Sequence, residues 1–164
     1  MPPQAVDRAL NGQYASLLPN PFMLTLPRSL WGNLKDYFAY TATFNPIAAL
    51  ATTPVQTNIN RDAAFVIIAA MATVTDSPAD TTRLAFFPAT VQIRDEGAGV
   101  NFYDQATHFH NVFGTAEAPA YWPIPKLLQP GSTVTTTLQN ISATAQVVRI
   151  AYLGFKIFDK VTNE

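Results

Sequence analysis

Between Asp36 and Phe158 the chain repeats one pattern: short runs of alternating apolar and polar residues, separated by proline and glycine. Alternation with a period of two sends successive side chains to opposite faces of an extended backbone. Each run can therefore bury its apolar face only by joining a sheet. Asp36–Phe44 places Phe38, Tyr40, Ala42 and Phe44 on one face, and the run from Val55 to Ile59 does the same with Val55, Thr57 and Ile59. Thr90–Asp95 and Val100–Tyr103 flank Glu96-Gly97-Ala98-Gly99, which reads as a hairpin. Thr107–Phe113 is a further strand, closed by Gly114. Pro130-Gly131 then introduces the strand Ser132–Gln139, in which Val134, Thr136 and Leu138 share a face. Gln146–Phe158 is the last and longest, and Gly154 within it predicts a bulge or bend.

Ala63–Thr75 is the one ambiguous segment, because it is apolar throughout and rich in alanine. The crowding of valine, isoleucine and threonine favours a strand buried on both faces over a helix. The stretch around Pro119, Pro123 and Pro125 reads as a loop, since proline removes ladder donors. Strand and helix nowhere alternate in the manner that builds a parallel sheet. About eight antiparallel strands in one domain limit their exposed edges by forming a two-sheet sandwich or a barrel. The expected fold is all-β, a jelly-roll-like sandwich over residues 31–164. The uneven strand lengths and the absence of any cysteine argue against an immunoglobulin-type core.

Residues 1–30 differ from the rest. They hold five of the thirteen prolines and, apart from one possible helical turn at Asp7–Leu10, read as an irregular extended arm. The arm nevertheless carries Leu17, Leu18, Phe22, Met23, Leu24, Leu26 and Leu30, followed directly by Trp31. A solvated linker has no use for such residues, so either the domain body or a neighbouring subunit is expected to bury them. Tyr121 and Trp122 join them as candidate interface residues, because aromatics anchor subunit contacts. The same pair could instead form the stacking platform of a carbohydrate-binding module.

Charge and composition exclude several classes. Ten basic and eleven acidic residues leave no basic surplus for a nucleic acid. The twelve-residue apolar run Ala63–Val74 is too short for a membrane-spanning helix, which needs about 20 residues. The start, MPPQAVDRAL, lacks the basic-then-apolar order of a secretory leader.

Catalytic signals are weak. His108 and His110 stand two apart in an expected strand, the spacing with which cupin-type jelly rolls present metal ligands. Phe102 stands where that pattern has a glycine, and Gly114 and Thr115 where it has a carboxylate. No third histidine follows, and Glu117 comes too late. No metal or other cofactor is therefore expected. Asp95, Glu96 and Asp104 could imitate a paired-carboxylate site, but acids in or beside a turn are ordinary turn residues. No glycine-flanked serine elbow and no phosphate loop occur, so no catalytic residue is assigned.

One resemblance goes further. The run from Trp122-Pro-Ile-Pro-Lys through Leu127-Leu-Gln-Pro-Gly-Ser132 to Leu138-Gln-Asn-Ile-Ser142, then Tyr152-Leu-Gly-Phe-Lys156, resembles small jelly-roll structural proteins of tailed bacteriophage virions. Asn60-Arg-Asp-Ala-Ala-Phe65 is similar to the start of their long apolar strand. The similarity is looser from residue 55 and closest over 122–158. It implies a cement, decoration or connector subunit that is non-enzymatic and located in the virion after assembly in the host cytoplasm. Implied partners are further copies of itself, as a homo-oligomer such as a trimer, and the major capsid protein or other virion proteins.

Overall fold

The computed structural model describes residues 34–79 and 82–158. The N-terminal arm of residues 1–30, with its expected helical turn, lies outside the described residues. Strands β1 (Leu34–Ile47), β2 (Thr52–Asn58), β3 (Ala64–Thr75) and β4 (Ala89–Asp95) come first. The two-residue strands β5 (Val100–Asn101) and β6 (Thr107–His108) follow, then β7 (Ala120–Leu128), β8 (Thr133–Asn140) and β9 (Gln146–Ile157).

They form two antiparallel sheets packed face to face. The first runs β1-β9-β3-β7, and the second runs β2-β8-β4-β5, with β6 also paired to β4. Because β5 and β6 lie at different heights along the same strand, Asp95/Arg94 and Thr90/Val91, they fill one strand position between them. The result is four strand positions in each sheet. Apart from the β4–β5–β6 run, consecutive strands cross from one sheet to the other, which is the jelly-roll order. Ala63–Thr75 is indeed a strand, central in its sheet between β9 and β7.

The core follows the alternation. Tyr40, Ala42 and Phe44 of β1, Phe65 and Ile67 of β3, and Ile150 and Tyr152 of β9 face Val91 and Ile93 of β4 and Val134 and Leu138 of β8. Burying each large side chain contributes roughly 1.5–3 kcal/mol. Thr136 and Tyr152 are both buried, and their hydroxyls hydrogen-bond across the two layers. Burial raises the ionisation of the Tyr152 phenol far above its usual range.

Two expectations need correction. The segment read as a proline-rich loop contains β7, at the edge of the first sheet. Proline is admitted there because an edge strand has one side without ladder bonds. The pairing also breaks where the prolines fall: Tyr121 sits opposite Ala69 and Lys126 opposite Ile67, so residues 122–125 bulge past a single residue of β3. The strand expected over Thr107–Phe113 stops at His108 and continues as a 3-10 turn, Phe109–Asn111. Burying Phe109 at 2% exposure against Phe87 and Phe113 requires that turn.

Candidate functional site

The residues of the resemblance turn out to be fixings of the fold. Asn140, 1% exposed, donates its amide to the carbonyls of Ile47, Ala48 and Thr144, and its Oδ1 accepts from the Ser142 amide at 2.9 Å. It thereby clamps the β1–β2 corner to the β8–β9 turn. Gly131 has φ 75°, the left-handed conformation its turn requires. Lys156 is buried, donates to Asp62 at 2.9 Å and lies 4.5 Å from the centre of the Phe38 ring. Gly154 lets the β3 backbone approach so closely that a Cβ there would lie 1.8 Å from the Val66 carbonyl oxygen. Turn, clamp, buried pair and close approach account for the positions of Gly131, Asn140, Lys156 and Gly154.

His108 and His110 do come together, although not through strand alternation. Both rings stack on Phe86, with centroids 5.9 and 5.4 Å away, and lie 5.6 Å from one another. His110 Nε2 accepts the Phe87 backbone N–H at 2.9 Å, and His108 Nδ1 accepts the His110 N–H at 3.3 Å. Each ring thus spends one nitrogen on the backbone. Burial, and secondarily the neighbouring His108, lower the pKa of His110. Among the described residues no group of three or more histidine, aspartate and glutamate side chains is placed to hold a metal. A depression beside His110, lined by Arg83, Phe109 and Thr115 among others, holds about 60 Å³. Ligand sites usually enclose about 300–1,000 Å³.

The acidic candidates are turn residues. Asp95 is buried and accepts the Gly97 and Ala98 amides at 2.9 and 3.3 Å, capping the β4–β5 hairpin. Asp104 accepts from Gln105 N at 2.9 Å. Glu96 is held below the usual carboxylate range by the Thr135 hydroxyl beside it and by Arg94, its partner at 3.1 Å. Glu117 is held down at about 2 by its own backbone amide, by the Thr115 hydroxyl and by Arg83 at 2.8 Å.

Of the interface candidates, Leu17, Leu18, Phe22, Met23, Leu24, Leu26, Leu30 and Trp31 lie outside the described residues. Tyr121 and Trp122 part company. Trp122 is 7% exposed and packs edge-on against Phe102 and Tyr152 inside the sandwich, which leaves no open platform there. Tyr121 points to the other side of β7 and is 42% exposed.

Tyr121 belongs to an apolar surface that strand alternation alone does not predict. On the outer face of the first sheet, Tyr37, Phe155, Val66 and Leu127 form one row across the four strands. Ala39, Leu153, Ala69 and Tyr121 form the next. The register shift between Ile67 and Ala69 adds Ile68 to this face. The outer face of the second sheet is built from Thr52, Pro54, Gln56, Thr135, Thr137, Gln92 and Arg94. The outer face of the second sheet is therefore polar, whereas that of the first is apolar at the end where β1 begins and turns polar toward Thr43, Arg149 and Thr73, with Ile124 exposed at the β7 edge. The signal in the sequence was the unbroken apolar run of β3, which needs cover on both of its sides.

No protein-family model matches the chain, and no curated protein matches its sequence.

Proposed function

We propose that this chain is a non-enzymatic structural subunit that assembles with itself and with capsid, neck or tail proteins of a bacteriophage particle, reinforcing or decorating it. The observation that carries the reading is the apolar patch on the outer face of the β1-β9-β3-β7 sheet, on a jelly roll whose pattern residues Gly131, Asn140, Gly154 and Lys156 serve turns and packing. Exposed Tyr37, Tyr121 and Leu127 give that face a hydrophobic rim of the kind that marks interaction sites. The apolar residues from Leu17 to Leu30 add a second adhesive element, and fourteen residues at full extension reach about 45 Å, enough to lie on a neighbour. The virion assignment rests on the resemblance of residues 122–158.

Sedimentation velocity of the full chain over a wide concentration range tests the self-assembly. A stable oligomer, such as a trimer, is expected, and deletion of residues 1–26 should lower its mass while the β-sheet circular dichroism persists. A full chain that stays monomeric at every concentration would overturn the proposal. So would a truncated chain that keeps the full oligomer and its resistance to dilution. The virion partner is tested by co-sedimentation with capsids of a candidate phage lacking the protein.

A further inference from the structure

A sheet edge pairs with other strands unless something prevents it, because its outward N–H and C=O groups lack ladder partners. Three of the four edges here carry such a device. β7 bulges over Pro123 and Pro125. The last position of the second sheet is split between the two-residue strands β5 and β6. β2 carries Pro54 within the strand. The Ile59 amide donates to the Ser132 carbonyl and the Asn140 amide to the Ala51 carbonyl, so the odd-numbered residues of β2 bond toward β8. The nitrogen of Pro54 therefore faces outward, where it offers no donor. β1 lacks any such device over most of its length. Its register with β9 is unbroken from Asp36 to Phe44, its two charges, Lys35 and Asp36, stand near its start, and Pro46 comes only at its end.

The outward groups of β1 follow from the far side of the sheet. The Ala72 amide donates to the Gly114 carbonyl and the Gly114 amide to the Ala70 carbonyl, so residues 70 and 72 of β3 bond away from β9 and Met71 bonds toward it. Met71 pairs with Ala151, which leaves Ile150 and Tyr152 of β9 to bond toward Ala42 and Tyr40 of β1. Tyr37, Ala39, Thr41 and Thr43 thus turn their N–H and C=O groups to the open side, and all four residues are exposed. Among the described residues, the Thr57 hydroxyl alone reaches one of these groups, the Thr41 carbonyl at 3.4 Å. That carbonyl keeps a second lone pair.

We propose that β1 is the docking edge for β1 of a second copy, antiparallel about a two-fold axis at Tyr40, which joins two four-stranded sheets into one of eight. Antiparallel strands exchange hydrogen bonds only between residues that both turn toward the seam. An axis at Tyr40 matches Tyr37 with Thr43 and Ala39 with Thr41 of the second copy, so all four residues are used and about eight ladder hydrogen bonds form. Tyr37 then stands beside a threonine, a favourable aromatic and β-branched pair, and no charge lies between Tyr37 and Phe44 on either strand. A second copy fits because this edge is its own complement in length, bonding pattern and neutrality. The inference rests on the self-assembly reading and gives it a seam: the two-fold doubles any ring tied by the arms, so a trimer becomes a hexamer.

Ala39→Pro tests the seam. Proline there removes an outward donor and leaves the β9 ladder intact, as Pro54 does beside β8. Sedimentation equilibrium should show a dissociation constant raised at least tenfold, with the β-sheet circular dichroism kept. Gln56→Pro, at an outward position of β2, should leave the mass unchanged. The chain has no cysteine, so crosslinking gives a second measurement that does not need a folded Ala39→Pro. Ala39→Cys and Thr41→Cys chains mixed in equal amounts should oxidise to the heterodimer severalfold faster than either chain alone. The paired positions lie about 5.5 Å apart at Cα, whereas like positions lie about 7–8 Å apart, beyond the usual disulfide span. Like-with-like bonds that form as fast, or a folded Ala39→Pro of unchanged mass, overturn the seam and leave self-assembly standing. Slow amide exchange at Ala39 and Thr43 that persists on dilution to monomer also overturns it, because the edge is then covered within one chain. A wild type that stays monomeric at every concentration overturns the assembly reading and the seam with it.

Discussion

Replacing Gly154 with alanine is the sharpest test of how this sandwich is built. Gly154 lies in β9 between β1 and β3, opposite Phe38 and Ile67, with strand backbone rather than a left-handed conformation. An added Cβ would lie 1.8 Å from the Val66 oxygen, 2.8 Å from its carbonyl carbon and 2.9 Å from Phe65 Cζ. Ordinary contact starts near 3.4 Å, so β3 must retreat by about 1.5 Å at its register shift. A shift of that size breaks about two ladder hydrogen bonds, at about 1 kcal/mol each, and adds about 1–3 kcal/mol of overpacking. The expected loss is about 3–5 kcal/mol, a large share of the 5–15 kcal/mol that holds a typical domain. At about 2–4 °C per kcal/mol, melting should fall by about 10 °C or more. Urea denaturation followed by circular dichroism, at one fixed protein concentration, measures it. Gly99→Ala is the control: φ there is 66°, but the nearest atom, Arg94 Nη2, is 4.0 Å away, so only about 1–2 kcal/mol of backbone strain is expected. If Gly154→Ala loses no more stability than Gly99→Ala, close approach is not the reason for the glycine.

Asp62→Ala leaves the buried Lys156 ammonium without its carboxylate and should lose about 1–3 kcal/mol in urea. Adding Lys156→Met should recover part of that loss, and no recovery would refute the pairing argument. Leu50 has φ 56° at an exposed turn, so Leu50→Asn should raise the melting temperature by relieving up to about 1 kcal/mol of strain. A lower melting temperature would count against that account. His110 has a pKa below its ordinary 6.5, so the unfolded chain binds its proton first as pH falls. Stability should therefore decline as pH drops below about 6.5 and level off below the folded-state pKa. His110→Gln should flatten that part of the melting curve, and parallel wild-type and variant profiles would exclude His110 as the source.

Why the pattern residues sit at fixed spacings is now explicable. Asn140, Gly131, Gly154 and Lys156 each meet a demand of the jelly-roll crossing pattern: a clamp between corners, a left-handed turn, a close strand approach and a closed sandwich end. Any chain that crosses between sheets in this order meets similar demands. Such residues therefore report architecture more directly than activity, and function has to be sought on the faces that the architecture leaves free.

The sequence by itself determined the class of fold and the inner face of nearly every strand. Phe38, Tyr40, Ala42 and Phe44, or Val134, Thr136 and Leu138, could be assigned to one side from alternation alone, because strand geometry fixes that relation locally. Gly154 likewise announced an irregularity. Three things were decided only by tertiary structure. Pro123 and Pro125 obscured β7, since proline forbids a strand only where its missing donor is needed, and edge position is not a local property. Packing of Phe109 turned a predicted strand into a 3-10 turn and set both histidines against Phe86. The apolar patch on the outer face exists because four strands distant in sequence bring Tyr37, Phe155, Val66 and Leu127 into one row. Alternation says which side of its own strand each residue takes, but a surface is made by neighbours, and neighbours are chosen by the order in which the strands pair.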